Sequence, residues 1–278
     1  MKFLFSFFLF FRPFNIALGV FTSWVVYLLI GSSNMVEFYN LNLIIICYMS
    51  GANILNDFLD INIDKINKPN RFLVKYPFTQ KYIFYLIVIL FFIGSWKAWQ
   101  IYPLAKSIAL FLVLPLLIFY EIFLKKIPLI GNIVISLLVG SVFLYTEAGL
   151  TNQIIITWKI FILAFFLNLI REIIKDLEDI NGDHQNNIQT FPIVYGQNQT
   201  ILLIRILSLI FILISISPLY ILNYSTYYIP LIFFSIHIPL LYIIWGLRVN
   251  ITTTKLHYFS NILKVMIANG IIIILLSY

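Results

Sequence analysis

Charge is scarce in this chain. Asp, Glu, Lys and Arg make up only 10% of its 278 residues, against about 25% in an ordinary soluble domain. Hydrophobic residues make up 62%, more than a soluble fold can hide, so the composition points to a polytopic membrane protein. Cysteine is nearly absent too. Cys47 stands alone in an apolar run, which excludes a disulfide within the chain, and no Cys/His zinc pattern occurs. The three histidines, His184, His237 and His257, are far apart, which argues against a metal site built on imidazoles. A basic domain is missing despite the net charge of +7. The Lys and Arg residues sit in short links between apolar runs, so they point to membrane topology and anionic ligands, not to nucleic acid. The start, Met1 to Phe11, has no small-residue cleavage site and runs directly into Arg12-Pro13. It reads as an interfacial lead-in and not as a removable signal peptide.

What the chain does contain is long apolar runs. A spanning helix needs about 20 apolar residues. Nine stretches qualify: 14–31, 38–58, 82–100, 104–122, 129–148, 155–175, 200–217, 228–246 and 260–277. Pro103, Pro128 and Pro218 lie near segment edges, where a missing N–H costs least. Pro115 and Pro239 lie inside segments and are expected to kink them. If the links alternate sides, fifteen of the eighteen Lys and Arg fall on the side of the N-terminus, and only Lys97, Lys106 and Lys159 fall opposite. By the positive-inside rule the N-terminus faces the cytoplasm. The expectation is therefore a multi-pass inner-membrane protein, all-α, with one domain over 1–278.

Two acidic stretches stand out. Asn53-Ile-Leu-Asn-Asp-Phe-Leu-Asp-Ile-Asn-Ile-Asp64 places Asp57, Asp60 and Asp64 at the end of the second apolar run. Lys175-Asp-Leu-Glu-Asp-Ile-Asn-Gly-Asp183 repeats the spacing with Asp176, Asp179 and Asp183, each offset by 119. These pseudo-repeats occupy 53–72 and 171–191, and by the alternation both face the cytoplasm. Positions i, i+3 and i+7 share one helical face, so each triad is expected to form a stripe. Asn53 and Asn56 extend the first stripe by a turn. Ionised acids beside hydrocarbon are costly and normally mark function. Facing triads would repel one another unless cations neutralised them. Oxygen donors without His or Cys suit Mg²⁺. Arg71 follows the first triad, Lys125 and Lys126 lie in the link after the fourth run, and Arg171 and Lys175 precede the second triad; acids, Mg²⁺ and cations on one surface describe a diphosphate site. An ion or proton pathway is the non-enzyme alternative. It would favour acids at mid-membrane, whereas these lie at segment ends.

These residues resemble the UbiA superfamily of intramembrane prenyltransferases. The family's first motif, Asn-Asp-x-x-Asp-x-x-x-Asp, matches Asn56, Asp57, Asp60 and Asp64, and its second matches Asp176, Asp179 and Asp183. Arg12-Pro-Phe-Asn15 resembles an early element of the family. Tyr120, Lys125, Lys126, Pro128 and Asn132 resemble a middle one, and Thr190 to Gly196 a later one. Many members acting on aromatic acceptors carry Tyr four residues before the motif Lys. Here that position is Arg171, a departure that resembles the branch making digeranylgeranylglyceryl phosphate.

The resemblance implies nine helices around a central cavity with a cytoplasmic helical cap. It also implies a polyprenyl diphosphate donor and a lipid acceptor, with an aromatic quinone precursor as the second choice. Asn56, Asp60, Asp64, Asp179 and Asp183 are the expected Mg²⁺ ligands. Asp57 and Asp176 are expected to bind or orient beside them, with Asn15, Asn53 and Asn132 as further substrate contacts. Arg71, Lys125, Lys126 and Lys175 are expected to take the charge of the leaving diphosphate, and Tyr120 to face the carbocation. Arg171 is expected to hold a phosphorylated acceptor. Neither nucleic acid nor an obligate protein partner is expected.

Overall fold

The computed structural model describes residues 2–67, 69–185, 188–218 and 225–277; Lys68, counted above among the basic links, lies outside them. Among the described residues every regular element is helical, with no strand. The helices are α1 (Lys2–Phe10), α2 (Pro13–Ile30), α3 (Met35–Leu59), α4 (Ile61–Asn67) and α5 (Phe72–Lys75). They continue with α6 (Pro77–Ala98) and α7 (Pro103–Ile122). Then come α8 (Ile130–Thr151), α9 (Thr157–Gln185) and α10 (Phe191–Ile214). The last two are α11 (Tyr228–Gly246) and α12 (Thr253–Ser277).

Among the described residues, eight of these are long and apolar enough to cross a membrane: α2, α3, α6, α7, α8, α10, α11 and α12. Each overlaps an expected span. The remaining expected span, 155–175, overlaps α9. That helix forms, but Lys159, Arg171 and Glu172 interrupt its apolar run.

The chain divides into two compact units, one of residues 1–124 and 142–154, the other of 125–141 and 155–278. In the first, α3 packs along α6 and touches α2 and α7. Its core gathers Leu41, Ile44, Tyr48, Ala105, Tyr145 and Ala148. A second cluster joins Phe10 of α1 to Ile54, Phe72, Leu73 and Ile83. In the second unit, α9 packs against α10 and α12. Lipid is as apolar as leucine, so helix association here rests on close van der Waals fit and small residues. Gly51 shows it: a Cβ there would sit 2.6 Å from the Phe91 ring. Large apolar residues such as Phe111, Leu213 and Trp245 are exposed on spanning helices, as a lipid-facing surface requires.

The internal prolines act through widened turns. A π-helical stretch, Ile108–Val113, precedes Pro115, and another, Phe233–His237, precedes Pro239. A proline cannot donate to the carbonyl four residues back, and the π turn accommodates that break. In α10 the bend falls at Gly196, whose φ of 84° suits glycine.

Candidate active site

The first unit builds a polar knot at the C-terminal end of α3. The helix carries Asn53, Asn56 and Asp57 on its last turns and stops at Leu59. Asp60 caps it with φ −92° and ψ 9°, and α4 restarts at Ile61. The expectation of one continuous stripe is thus corrected for the first triad. Asn56, Asp57, Asp60, Asn62 and Asp64 are poor helix formers whose side chains compete for backbone hydrogen bonds. The chain breaks in their midst and re-aims Asp60 and Asp64.

Asp57 is buried, and its Oδ1 accepts from Arg12 Nη2 at 2.5 Å and from Arg71 Nη1. Arg71 also lies 3.6 Å from Asp64, itself buried. Arg12 Nη2 reaches Asn56 Oδ1 at 2.9 Å, and Asn56 Nδ2 donates to Glu121 Oε2 at 2.7 Å. Arg12 sits in the left-handed region, φ 55°, at the entry to α2, a conformation that costs a non-glycine residue and recurs at functional sites. The amide of Asn53 holds the carbonyl of the preceding Phe11 at 3.1 Å. Asn53 therefore secures the turn that presents Arg12. Tyr120 is half-buried, next to Glu121 on α7. Asn15 is exposed on the first turn of α2.

In the second unit the triad does share one uninterrupted helix, α9. Asp176 and Asp183 are partly buried, and Lys175 and Asp179 are exposed. Asn132, buried near the start of α8, donates to Asp176 Oδ2 at 2.8 Å. Ser136 Oγ donates to the Asn132 carbonyl at 2.6 Å, and Asn168 Nδ2 donates to that Oγ at 3.2 Å. Asp57 and Asp176 hold matching places in the repeat yet meet opposite surroundings. Asp57 meets two guanidinium groups, whereas Asp176, just past the expected span, meets one neutral amide. Burial pushes the Asp176 carboxyl up to about 7; Asn132 opposes the rise, nearby Glu172 and Asp183 add to it, and Lys175 opposes it. Arg171 is mostly buried and pairs with Glu172. Lys125 is half-buried and Lys126 exposed on the turn Leu124–Lys126.

Two participants escaped the sequence reading. Arg12 stood in the quoted element, but Asn15 was singled out there instead. Glu121 carried a usable signal, a lone acid at the end of an apolar run, which normally marks function.

Among the described residues, no three His, Cys, Asp or Glu side chains gather as a metal site. Mg²⁺ does not require that. It commonly takes one or two carboxylates and completes its shell with substrate phosphates and water. Asn56, Asp60 and Asp64 in the first unit, and Asp179 and Asp183 in the second, are all oxygen donors, so the donor chemistry of each stretch fits the ion.

Among the described residues, helices long and apolar enough to cross a membrane carry carboxylates, amides and guanidinium groups at their ends, which is the make-up of an integral membrane protein with a polar site. Residues 7–264 match the UbiA prenyltransferase family model, and the chain belongs to that family. It is accordingly an enzyme of the prenyltransferase class. The digeranylgeranylglyceryl phosphate synthase of Methanosphaera stadtmanae is 33% identical over 205 residues, 73% of this chain and 74% of that protein. The Pyrococcus horikoshii protein of the same name is 33% identical over 176 residues, 61% of this chain and 60% of that protein. A solved structure of a digeranylgeranylglyceryl phosphate synthase covers 100% of this chain and 99% of its own, with TM-score 0.79 and 24% identity. A UbiA homologue from Archaeoglobus fulgidus bound to DMAPP and Mg²⁺ covers 95% of this chain and 97% of its own, with TM-score 0.68 and 18% identity. These likenesses establish the fold.

Proposed function

We propose that the protein transfers a geranylgeranyl group from its diphosphate to geranylgeranylglyceryl phosphate. The observation that carries the proposal is the pairing of the Arg12–Asp57–Arg71 node with relatives named for this reaction. Both acidic stretches serve one diphosphate in this reading, supported by their equal spacing and like chemistry. The active side and the N-terminus face the cytoplasm, supported by the distribution of Lys and Arg.

Asn56, Asp60, Asp64, Asp179 and Asp183 would hold Mg²⁺. When bound, the ion offsets the charge of the diphosphate and of the oxygen that leaves. Asp57 keeps Arg12 and Arg71 in place, and Asp176 is held by Asn132. Arg71, Lys125, Lys126 and Lys175 stabilise the departing anion. The allylic C–O bond breaks with its electron pair going to diphosphate, and the apolar bundle keeps water from the carbocation. Tyr120 offers that cation a ring face. The acceptor hydroxyl oxygen forms the new C–O bond and releases its proton to the departed diphosphate. Arg171 holds the acceptor phosphate, its guanidinium being shared between that phosphate and the Glu172 carboxylate.

The test is Asp60→Asn and Asp179→Asn in purified protein. Both are expected to abolish Mg²⁺-dependent diphosphate release. Near-normal turnover in either variant would contradict the two-stretch mechanism.

A further inference from the structure

We infer that Glu121 is a positioning residue for the donor site: it fixes which way the Asn56 amide faces. The inference rests on the reading of Asn56 as a cation ligand.

Glu121 is buried near the end of α7, and it is 65 residues from Asn56 in sequence. Its Oε2 accepts from Asn56 Nδ2 at 2.7 Å, while Asn56 Oδ1 accepts from Arg12 Nη2 at 2.9 Å. A guanidinium can only donate and an ionised carboxylate can only accept. Arg12 at one end and Glu121 at the other therefore leave the amide a single orientation, with oxygen toward Arg12 and nitrogen toward Glu121. The amide oxygen has two lone pairs, and Arg12 uses one. The other is the one a cation can use. Turned over, the same amide would present N–H groups to a cation and repel it.

The chemistry explains why a carboxylate stands at this place. A serine or a glutamine also offers a donor, so either would tolerate both amide orientations. Without Glu121, the Asn56 N–H groups lose a charge-assisted partner inside an apolar bundle, and Arg12 alone is left to hold the amide. Groups that orient a metal ligand are commonly worth 10- to 100-fold in metal affinity or activity.

The experiment uses the full-length protein with Mg²⁺ titrated in two assays. One is release of diphosphate from geranylgeranyl diphosphate. The other is thermal protection by Mg²⁺ with inorganic diphosphate, which needs no turnover. Glu121→Met, close in volume and unable to accept a strong hydrogen bond, is expected to raise the half-saturating Mg²⁺ roughly 10- to 100-fold in both. Glu121→Gln gives a smaller rise of the same kind, and it serves if the Met variant fails to fold. The decisive background is Asn56→Asp. A carboxylate presents oxygen whichever way it turns, so adding Glu121→Met to Asn56→Asp is expected to raise the Mg²⁺ requirement no further. A rise that persists in that background, or no rise in the parent, would overturn the inference. Asn56→Leu separates the underlying reading. If it leaves the Mg²⁺ requirement unchanged, Asn56 is not a cation ligand. If it raises the requirement while Glu121→Met does not, the ligand stands and the role of Glu121 falls.

Discussion

At the scale of single residues, Asp57 is the hub of the first stretch. One of its carboxylate oxygens takes both Arg12 and Arg71, so its charge holds two like charges close together. Asp57→Asn removes that restraint and leaves the guanidinium groups repelling one another. Losing one member of a buried pair costs about 3–5 kcal/mol. Because both arginines are partly exposed here, roughly 2–3 kcal/mol is expected, read as a fall in melting temperature in detergent. On the proposed mechanism Arg71→Ala also removes a donor to the departing diphosphate, and a loss of about 100-fold in kcat is expected. An Arg71→Ala enzyme with parental kcat would place Arg71 in a purely structural role. The acids and their spacing were legible in the sequence because both triads recur at one interval. Glu121 was not, because its meaning lies in a contact with Asn56 that no local pattern encodes. The two partners of Asp57 were equally hidden, since Arg12 arrives from 45 residues away.

At the scale of elements, the long apolar runs read directly as helices, because about 20 apolar residues have one stable form in a bilayer. The ends read less well. The first triad looked like a continuation of α3, yet the chain breaks at Asp60. Apolar periodicity decides where a helix runs, while Asn and Asp propensities decide where it stops. The prolines were legible as irregularities, but not as π turns placed before them. The closeness of α3 and α6 depends on glycine at the crossing. A Cβ on Gly94 would meet the Tyr48 ring at 2.6 Å, and Tyr48 also bonds Ser95 across that contact at 3.1 Å. Gly94→Leu is expected to overpack the crossing by about 1–3 kcal/mol, measured by thermal unfolding of the detergent-solubilised protein. Leu on the lipid-facing side, for example Phe92→Leu, is expected to leave the melting point within a degree or two.

At the scale of the whole molecule, the distribution of charge predicts sidedness. Fifteen Lys and Arg fall on one side by the alternation of links and three on the other. In a Cys47→Ser background, Lys75→Cys is expected to react with a membrane-impermeant thiol reagent only after the cytoplasmic face is opened. Gln100→Cys is expected to react in intact cells. The reverse pattern would invert the topology. The family was legible because its motifs are spaced acids, amides and cations that a single sequence displays. The acceptor was less so, since it rests on Arg171 and on its pairing with Glu172, which the sequence did not reveal. The most direct measurement is mass spectrometric identification of the product. Purified protein, Mg²⁺ and geranylgeranyl diphosphate are offered geranylgeranylglyceryl phosphate together with hydroxybenzoate and dihydroxynaphthoate acids. The account predicts digeranylgeranylglyceryl phosphate, formed only with Mg²⁺; prenylated aromatic product alone, or no prenyl transfer at all, would contradict it.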